Sequence, residues 1–446
     1  MKSDLKLEIQ ESQNLGRRAR RKKEKELQKK YNDKNIRIKS GKTFTKSESL
    51  SRKDRRDLIK DKDLVKEVLK ITNKYLPKLN NLLSNLTDSR HKSYITYSMK
   101  TIVMTRLFAL ICGITTMNEM TNKFNTEEAI KNLSSICNQD LEEIPNWQTI
   151  QDVIEEISIQ EIENIRKYIV VALIRSKMFD KYRYNGYFQL LVDATGLTSL
   201  DYNLNGNCLT KTRDGKTKYY KYVLEAKLVF GNIVVSLESE WIENTNLNTE
   251  KQKQDCETKA FKRMAKRIKK SYPKLRFIIT GDALYATTPM INYNNETTKE
   301  NYFLSTNIEF NNNTLNAFRY VEISNDKTIT FNYISNLNVS DNNIDKIVAM
   351  GRRRWKIENE GFNEQKNGTF CISHLCSRNE NALKIHYYFI QIAHIIRQLL
   401  EYGSILVKEM RFKTKKEISA LITNTLISKT SDLNQLETNF QLRFDN

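Results

Sequence analysis

The apolar residues of this chain change their period once, near residue 180, and that change constrains the fold more than any other feature. From residue 61 to about 179 the pattern is helical. Leu64, Val65, Val68, Leu69, Ile71 and Leu76 recur at a spacing near 3.6 up to Pro77, and Leu79, Leu82, Leu83 and Leu86 resume it. Residues 94–117 read as a further apolar-rich helix. Ile144-Pro145-Asn146-Trp147 reads as a turn into a helix carrying Val153, Ile154 and Ile157, and residues 162–179 make one more. Beyond Asp180 the pattern is that of strands. Residues 187–192 form a near-continuous apolar run, as in a buried central strand, and the run ends in Asp193-Ala194-Thr195-Gly196.

A polar, turn-rich link over 203–215 leads to strands at 219–230 and 232–241, with Gly231-Asn232 as a tight turn between them. Residues 256–272 form a basic amphipathic helix closed by Pro273. A second buried strand, 275–280, ends in Gly281-Asp282. Strand-like pieces follow at 302–307, 318–323 and 328–334, then a charged helix over 352–366 and a long apolar helix over 380–410. The implied divisions are a basic arm (1–60), a helical domain (61–180), an α/β domain (181–405) with a run of strand-like pieces at about 300–340, and a helical tail (406–446).

Charge points to the partner. Lys and Arg number 74 against 53 Asp and Glu, a formal charge of +21. Such an excess suits a polyanion, nucleic acid before membrane, because no apolar run is long enough to span a bilayer. The densest clusters lie in the arm: Arg17, Arg18, Arg20 and Arg21 with Lys22 and Lys23, and Arg52, Lys53, Arg55 and Arg56. With few large apolar residues between them, the arm is expected to be poorly ordered or marginally helical alone and to track DNA phosphates. The N-terminus lacks an apolar signal region, and the six scattered cysteines read as reduced thiols, so the expected location is the cytoplasm.

Two strands that each end in an aspartate, Asp193 and Asp282, precede a helix that carries Glu358. Groups at strand ends in an α/β sheet converge on one edge, where ligands bind. Three carboxylates there repel one another unless divalent cations lie between them, and hard oxygen donors suit Mg²⁺ or Mn²⁺. Each aspartate has a structural alternative: turn chemistry for Asp193, a helix cap for Asp282. On the helix, Arg354 and Glu358 are four apart and share a face.

The stretches L-V-D-A-T-G (191–196), L-E-A-K-L-V (224–229), S-E-W-I-E-N (239–244), K-Q-D-C-E (253–257), G-D-A-L-Y-A (281–286) and R-R-R-W-K-I-E-N-E-G-F-N-E-Q-K (352–366) together resemble bacterial insertion-sequence transposases of the IS4-like group. That resemblance implies an α/β, RNase H-like domain: a mixed five-stranded sheet with flanking helices and a small β-rich insertion, preceded here by an all-helical domain. It implies a catalytic and metal-binding triad of Asp193, Asp282 and Glu358 holding two Mg²⁺, with Mn²⁺ as a substitute. Arg352, Arg353, Arg354, Lys356 and Lys366 would hold the DNA backbone. The implied partners are the terminal inverted repeats and target DNA, bound by a dimer, in a bacterial, nucleoid-associated setting. The family's signature places Tyr and Lys where this chain has Gly351 and Gln365, with Lys366 one residue late. Glu360 competes with Glu358, but residues two apart on a helix point about 200° apart, and Arg354 fits Glu358. The alternatives are a related nuclease without strand transfer, or a catalytically inactive DNA-binding descendant.

Other groups stay open or rank lower. Cys371, His374 and Cys376 have metal-ligand types but no second half with zinc spacing, and His386 and His394 read as core histidines. Lys216, Lys218 and Lys221, like the basic helix around 262–270, fit either a phosphate track or a solvated face.

Overall fold

The computed structural model describes residues 62–244, 255–282, 302–310, 313–324, 327–403, 414–433, 436 and 439–444, with short pieces at 22–23, 26, 36–39, 42–45 and 297–299. Residues Met1–Lys62 and Asp63–Asn446 are two compact units. In the first, expected to be poorly ordered or marginally helical alone, β1 (Ile36–Lys39) and β2 (Lys42–Thr45) pair antiparallel, Ile36 opposite Thr45. Their I-R-I-K and K-T-F-T sequences have the β-branched and aromatic residues that strands favour. Arg17, Arg18, Arg20, Arg21 and the cluster at 52–56 lie outside the described residues.

The second unit begins with seven helices: α1 (Leu64–Tyr75), α2 (Leu79–Ser84), α3 (Met99–Ile111), α4 (Met117–Phe124), α5 (Glu127–Cys137), α6 (Trp147–Glu156) and α7 (Ile159–Arg175). Short polar side chains start most of them. The Asp63 carboxylate accepts from the Lys66 N–H at 2.9 Å, and the Asn146 carbonyl oxygen from the Thr149 N–H at 2.9 Å, so I-P-N-W is a capped helix start.

Five strands then form one mixed sheet: β3 (Phe188–Leu200), β4 (Leu209–Arg213), β5 (Lys216–Phe230), β6 (Ile233–Ile242) and β7 (Phe277–Thr280). β5 is the spine. It is antiparallel to β3 on one edge; on the other it pairs with β4 near its start and β6 near its end. β7 joins the far side of β3, parallel to it. Gly231 turns the β5–β6 hairpin at φ +60°, as its G-N sequence foretold. α8 (Glu257–Ser271) precedes β7 and buries Ala260, Met264 and Ile268.

Three readings of this region need correction. β3 does not end at Asp193 but runs on to Leu200. The polar link contains a paired strand, β4. β7 is not a buried strand: Ile279 is 53 % exposed.

Residues 297–335 make a separate antiparallel sheet of β8 (Thr297–Lys299), β9 (Tyr302–Phe310), β10 (Asn313–Ser324) and β11 (Lys327–Ser335), in the order β11-β10-β9-β8. Leu304 and Phe318 of this sheet bury against Ile344, Ile347, Val348 and Met350 of α9 (Ile344–Arg352). A turn at 353–354 leads to a π-helical segment, Ile357–Asn363, and a short α10 (Glu364–Asn367).

α11 (Glu380–Tyr402) is buried nearly all round and packs on α1, α3, α6, α7 and β6. α12 (Lys415–Ser428) returns to α1 and α5. The fully buried Arg397 fastens these parts. It donates to the Ile111 carbonyl at 2.6 Å, to Ser419 Oγ at 2.9 Å, and to Glu401 at 2.9 and 2.7 Å. The main core contains Ile102, Phe108 and Ile169 from the helices, Val192, Leu224 and Leu228 from the sheet, and Phe389 and Ile392 from α11. Packing thus runs across the divisions near 180 and 405, which follow changes in secondary structure. Among the described residues no helix is long and apolar enough to cross a membrane.

Gly351 closes the contact between α9 and the insertion sheet. A Cβ there would come within 2.4 Å of the Tyr333 ring, which itself stacks on Phe318 at 5.1 Å. Gly351→Ala is therefore expected to destabilise the protein by about 1–3 kcal/mol through overpacking. Urea unfolding checks this: the loss should shrink in a Tyr333→Leu background, and an equal loss in both backgrounds contradicts the contact.

Candidate active site

Strand register brings the two aspartates together. Leu191 of β3 lies beside Thr280 of β7 in parallel pairing. Asp193 and Asp282 each lie two residues beyond this last pair, and the charge of Asp282 reaches Asp193. Asp193 is mid-strand, but it lies where β3 loses one neighbour, because β7 stops at Thr280. Its Oδ1 accepts from the Ala194 N–H at 2.9 Å within extended backbone, which removes the turn reading. The helix-cap alternative for Asp282 falls on residues outside those described.

Glu358 arrives on the π-helical segment. Bonding from i to i+5 brings residues five apart onto one side, and here these are Ile357 and Phe362. Both are fully buried, against Leu191, Val229 and Val234 of the sheet. Leu191 and Asp193 are two apart on β3 and share a face. The contact that seats the segment therefore holds Glu358 near Asp193. Burial raises the pKa of Asp193, and the charges of Glu358 and Asp282 raise it further; the Ala194 N–H and Arg354 oppose them. Arg354 Nη1 is 3.4 Å from Asp193 Oδ2, and its guanidinium lies 4.6 Å from the ring of Trp355, which is 53 % exposed.

The neighbouring residues divide. Glu360 is turned to Lys356, whose Nζ is 3.2 Å from its Oε1 and 2.9 Å from Asn232 Oδ1. Arg352 faces the insertion sheet, 2.8 Å from Glu322 and 4.9 Å from the Phe331 ring centroid. Arg353 is exposed and Lys366 partly so. Asp193, Asp282, Glu358 and Arg354 thus form the gathered group, with Arg352 and Lys356 at its margin.

The gathered carboxylates are hard donors whose mutual repulsion a divalent cation would relieve. Their donor chemistry fits such an ion. Among the described residues no three of His, Cys, Asp and Glu form a ready metal cluster, at these carboxylates or at Cys371, His374 and Cys376. His386 and His394 are core residues. His386 Nδ1 is 3.2 Å from Arg106 Nη2, and His394 Nδ1 is 3.0 Å from Gln365 Nε2. Burial holds both well below the usual histidine range.

Sequence reasoning gave no role to two charged residues of L-E-A-K-L-V, although their spacing of two in an apolar strand was the available signal. Glu225 lies opposite Asp193 on β5 and is fully buried. It accepts from Ser239 Oγ and, at 2.6 Å, from the Tyr387 hydroxyl. Lys227 Nζ is 3.8 Å from Glu225 Oε2 and donates to Gln391 Oε1 at 3.0 Å and Gln365 Oε1 at 3.4 Å. Its methylenes lie under Gly361 of the π segment. Gln365, at the position where the resemblance expects a lysine, is thus a buried link between Lys227, Gln391 and His394. Lys221 is buried as well, 3.5 Å from Glu243, and so is not a DNA-tracking residue.

Burial lowers the Lys227 pKa to about 8. The unfolded chain, with an ordinary lysine, then holds the extra proton between about pH 8 and 10.4. Stability from this group should rise with pH over that window, by up to about 3 kcal/mol. Unfolding free energies of the unaltered protein and Lys227→Met, compared from pH 8 to 10, check the sign. The difference should move in favour of the unaltered protein as pH rises, and a flat difference contradicts it.

No curated protein matches this chain. Residues 80–168, from α2 into α7, match the family described as DDE_Tnp_1-associated.

Proposed function

We propose that the protein is the DNA transposase of an IS4-like insertion sequence, cutting strands at the element's ends and joining the resulting 3′-hydroxyls to target DNA. The observation that carries this reading is the meeting of three carboxylate charges, Asp193, Asp282 and Glu358, at one edge of a sheet in a chain with a transposase-associated domain. A mixed five-stranded sheet flanked by helices, with a β-rich insertion before the glutamate, supports an RNase H-like catalytic domain.

Asp193, Asp282 and Glu358 would hold two Mg²⁺, or Mn²⁺. The chemistry supplied by bound divalent ions there is activation of an attacking hydroxyl and charge stabilisation at the leaving oxygen of a phosphodiester. Arg354 orients Asp193 through its ion pair, and Trp355 offers an exposed ring beside it. Arg352, Arg353, Lys356 and Lys366 supply cations for flanking phosphates. Glu358 rather than Glu360 is the third carboxylate, because Glu358 acts on Asp193 while Glu360 is engaged by Lys356. Two ends must be handled together, so a dimer on DNA is the working form, in the bacterial cytoplasm at the nucleoid. A nuclease that cuts without joining is the second reading. Gln365 favours it, since burial removes that position from DNA.

The test is cleavage and strand transfer on paired-end DNA with Mg²⁺. Asp193→Asn and Glu358→Gln should each lower cleavage by on the order of 10³-fold, about 4 kcal/mol of barrier. Glu360→Gln should stay within about tenfold of the unaltered protein. Activity retained in Glu358→Gln and lost in Glu360→Gln would sink the glutamate assignment. Cleavage without joining by the unaltered protein would favour the nuclease.

A further inference from the structure

We propose that the tip of the β4–β5 hairpin is a second contact surface for the phosphate backbone of duplex DNA, remote from the carboxylates along one strand. The proposal rests on the reading of the protein as a DNA enzyme and adds a surface that this reading does not use.

Register makes the case. Lys211 lies opposite Lys218, and Arg213 opposite Lys216. Residues two apart on a strand share a face, so all four cations lie on one face of the ribbon. Like charges placed directly opposite each other destabilise a sheet, and here two such pairs follow in succession. Lys218 has a carboxylate partner, Asp201. Among the described residues Lys211, Arg213 and Lys216 have none, and all three are exposed. The hairpin is held by other means: Asp214 and Gly215 turn it at φ +51° and +74°, and on the opposite face the Thr212 and Thr217 hydroxyls bond at 2.9 Å.

The contrast with neighbouring cations is informative. Lys221, further along β5, is buried with Glu243 and Glu380. On α8, Arg263 and Arg267 are tied to Asp255, Glu238 and Glu240. The hairpin tip instead keeps like charges stacked on an exposed face. A polyanion would turn that repulsion into attraction. A two-stranded ribbon also matches the major groove of B-DNA, about 12 Å wide, whereas the A-form groove is too narrow to admit it.

β5 also fixes the distance. Glu225 is opposite Asp193 and nine residues from Lys216, which at about 3.3 Å per residue is about 30 Å. A duplex lying along the strand would meet the hairpin about nine base pairs from the cut.

The experiment uses the full chain with Lys211, Arg213 and Lys216 all changed to Gln, binding a random-sequence duplex over a range of salt. Each lost phosphate contact removes about 0.9 from the slope of log affinity against log salt, so a fall of about 2–3 is expected. The thermal midpoint should stay level or rise, because the opposed like charges are gone, and Arg in place of both lysines should keep the slope. An unchanged slope overturns the hairpin assignment and leaves the carboxylate reading standing. An equal fall on an A-form RNA duplex overturns the assignment to DNA. If the unaltered protein shows no salt-dependent binding to DNA, the hairpin assignment and the proposed function both fail.

Discussion

Five apolar side chains hold the geometry of the carboxylates together. Ile357 and Phe362 of the π segment bury against Leu191, Val229 and Val234, in a cluster separate from the main core. At about 1.5–3 kcal/mol for each fully buried side chain, the cluster can hold a short helical segment on a sheet without any charged contact. Its position matters as much as its strength. Leu191 is next but one to Asp193, and Ile357 is next to Glu358. Apolar packing therefore sets the separation of two carboxylates that would otherwise push apart. The insertion sheet acts from the other side. It packs on α9, and α9 leads directly into the segment that bears Glu358.

Beneath that cluster the interior is polar, which is costly unless every group is met. Glu225, Lys227, Gln365, Gln391 and His394 meet one another across β5, α10 and α11, so the cost is largely offset. The layer gives α11 a fixed register against the sheet. Gln398 extends it by bonding both backbone groups of Val234 at 2.8 Å. The helical region, the long α11 and the sheet are thereby one packed unit, and a transposase-associated domain shares a core with the strands that carry the aspartates.

Much of this was legible in the sequence. The change of period near 180 marks the passage from helices to sheet. Gly231-Asn232 is a tight hairpin turn, and Asn146 caps a helix. Asp193 and Asp282 are near enough for their charges to act on each other, but not because both end strands: β3 runs on past Asp193, and it is the parallel neighbour that stops. The rest was hidden for identifiable causes. β4 is mostly Thr, Lys and Arg, a composition that reads as a loop until its pairing with β5 is seen. β7 looks buried because its residues are apolar, yet Ile279 is exposed. The π geometry leaves only a faint trace, a spacing of five between Ile357 and Phe362. Gly351 and Gln365 look like losses against the family signature. In the fold, the first makes room for Tyr333 and the second completes a buried polar chain.

The central claim is that Asp193, Asp282 and Glu358 act as one cation-binding group. Binding of Mn²⁺ to the DNA-free protein, followed by electron paramagnetic resonance, tests it without relying on any reaction. The account predicts bound Mn²⁺ in the unaltered protein and in Glu360→Gln, and loss of the bound signal in Asp193→Asn and Glu358→Gln. Equal binding by all four proteins would contradict it.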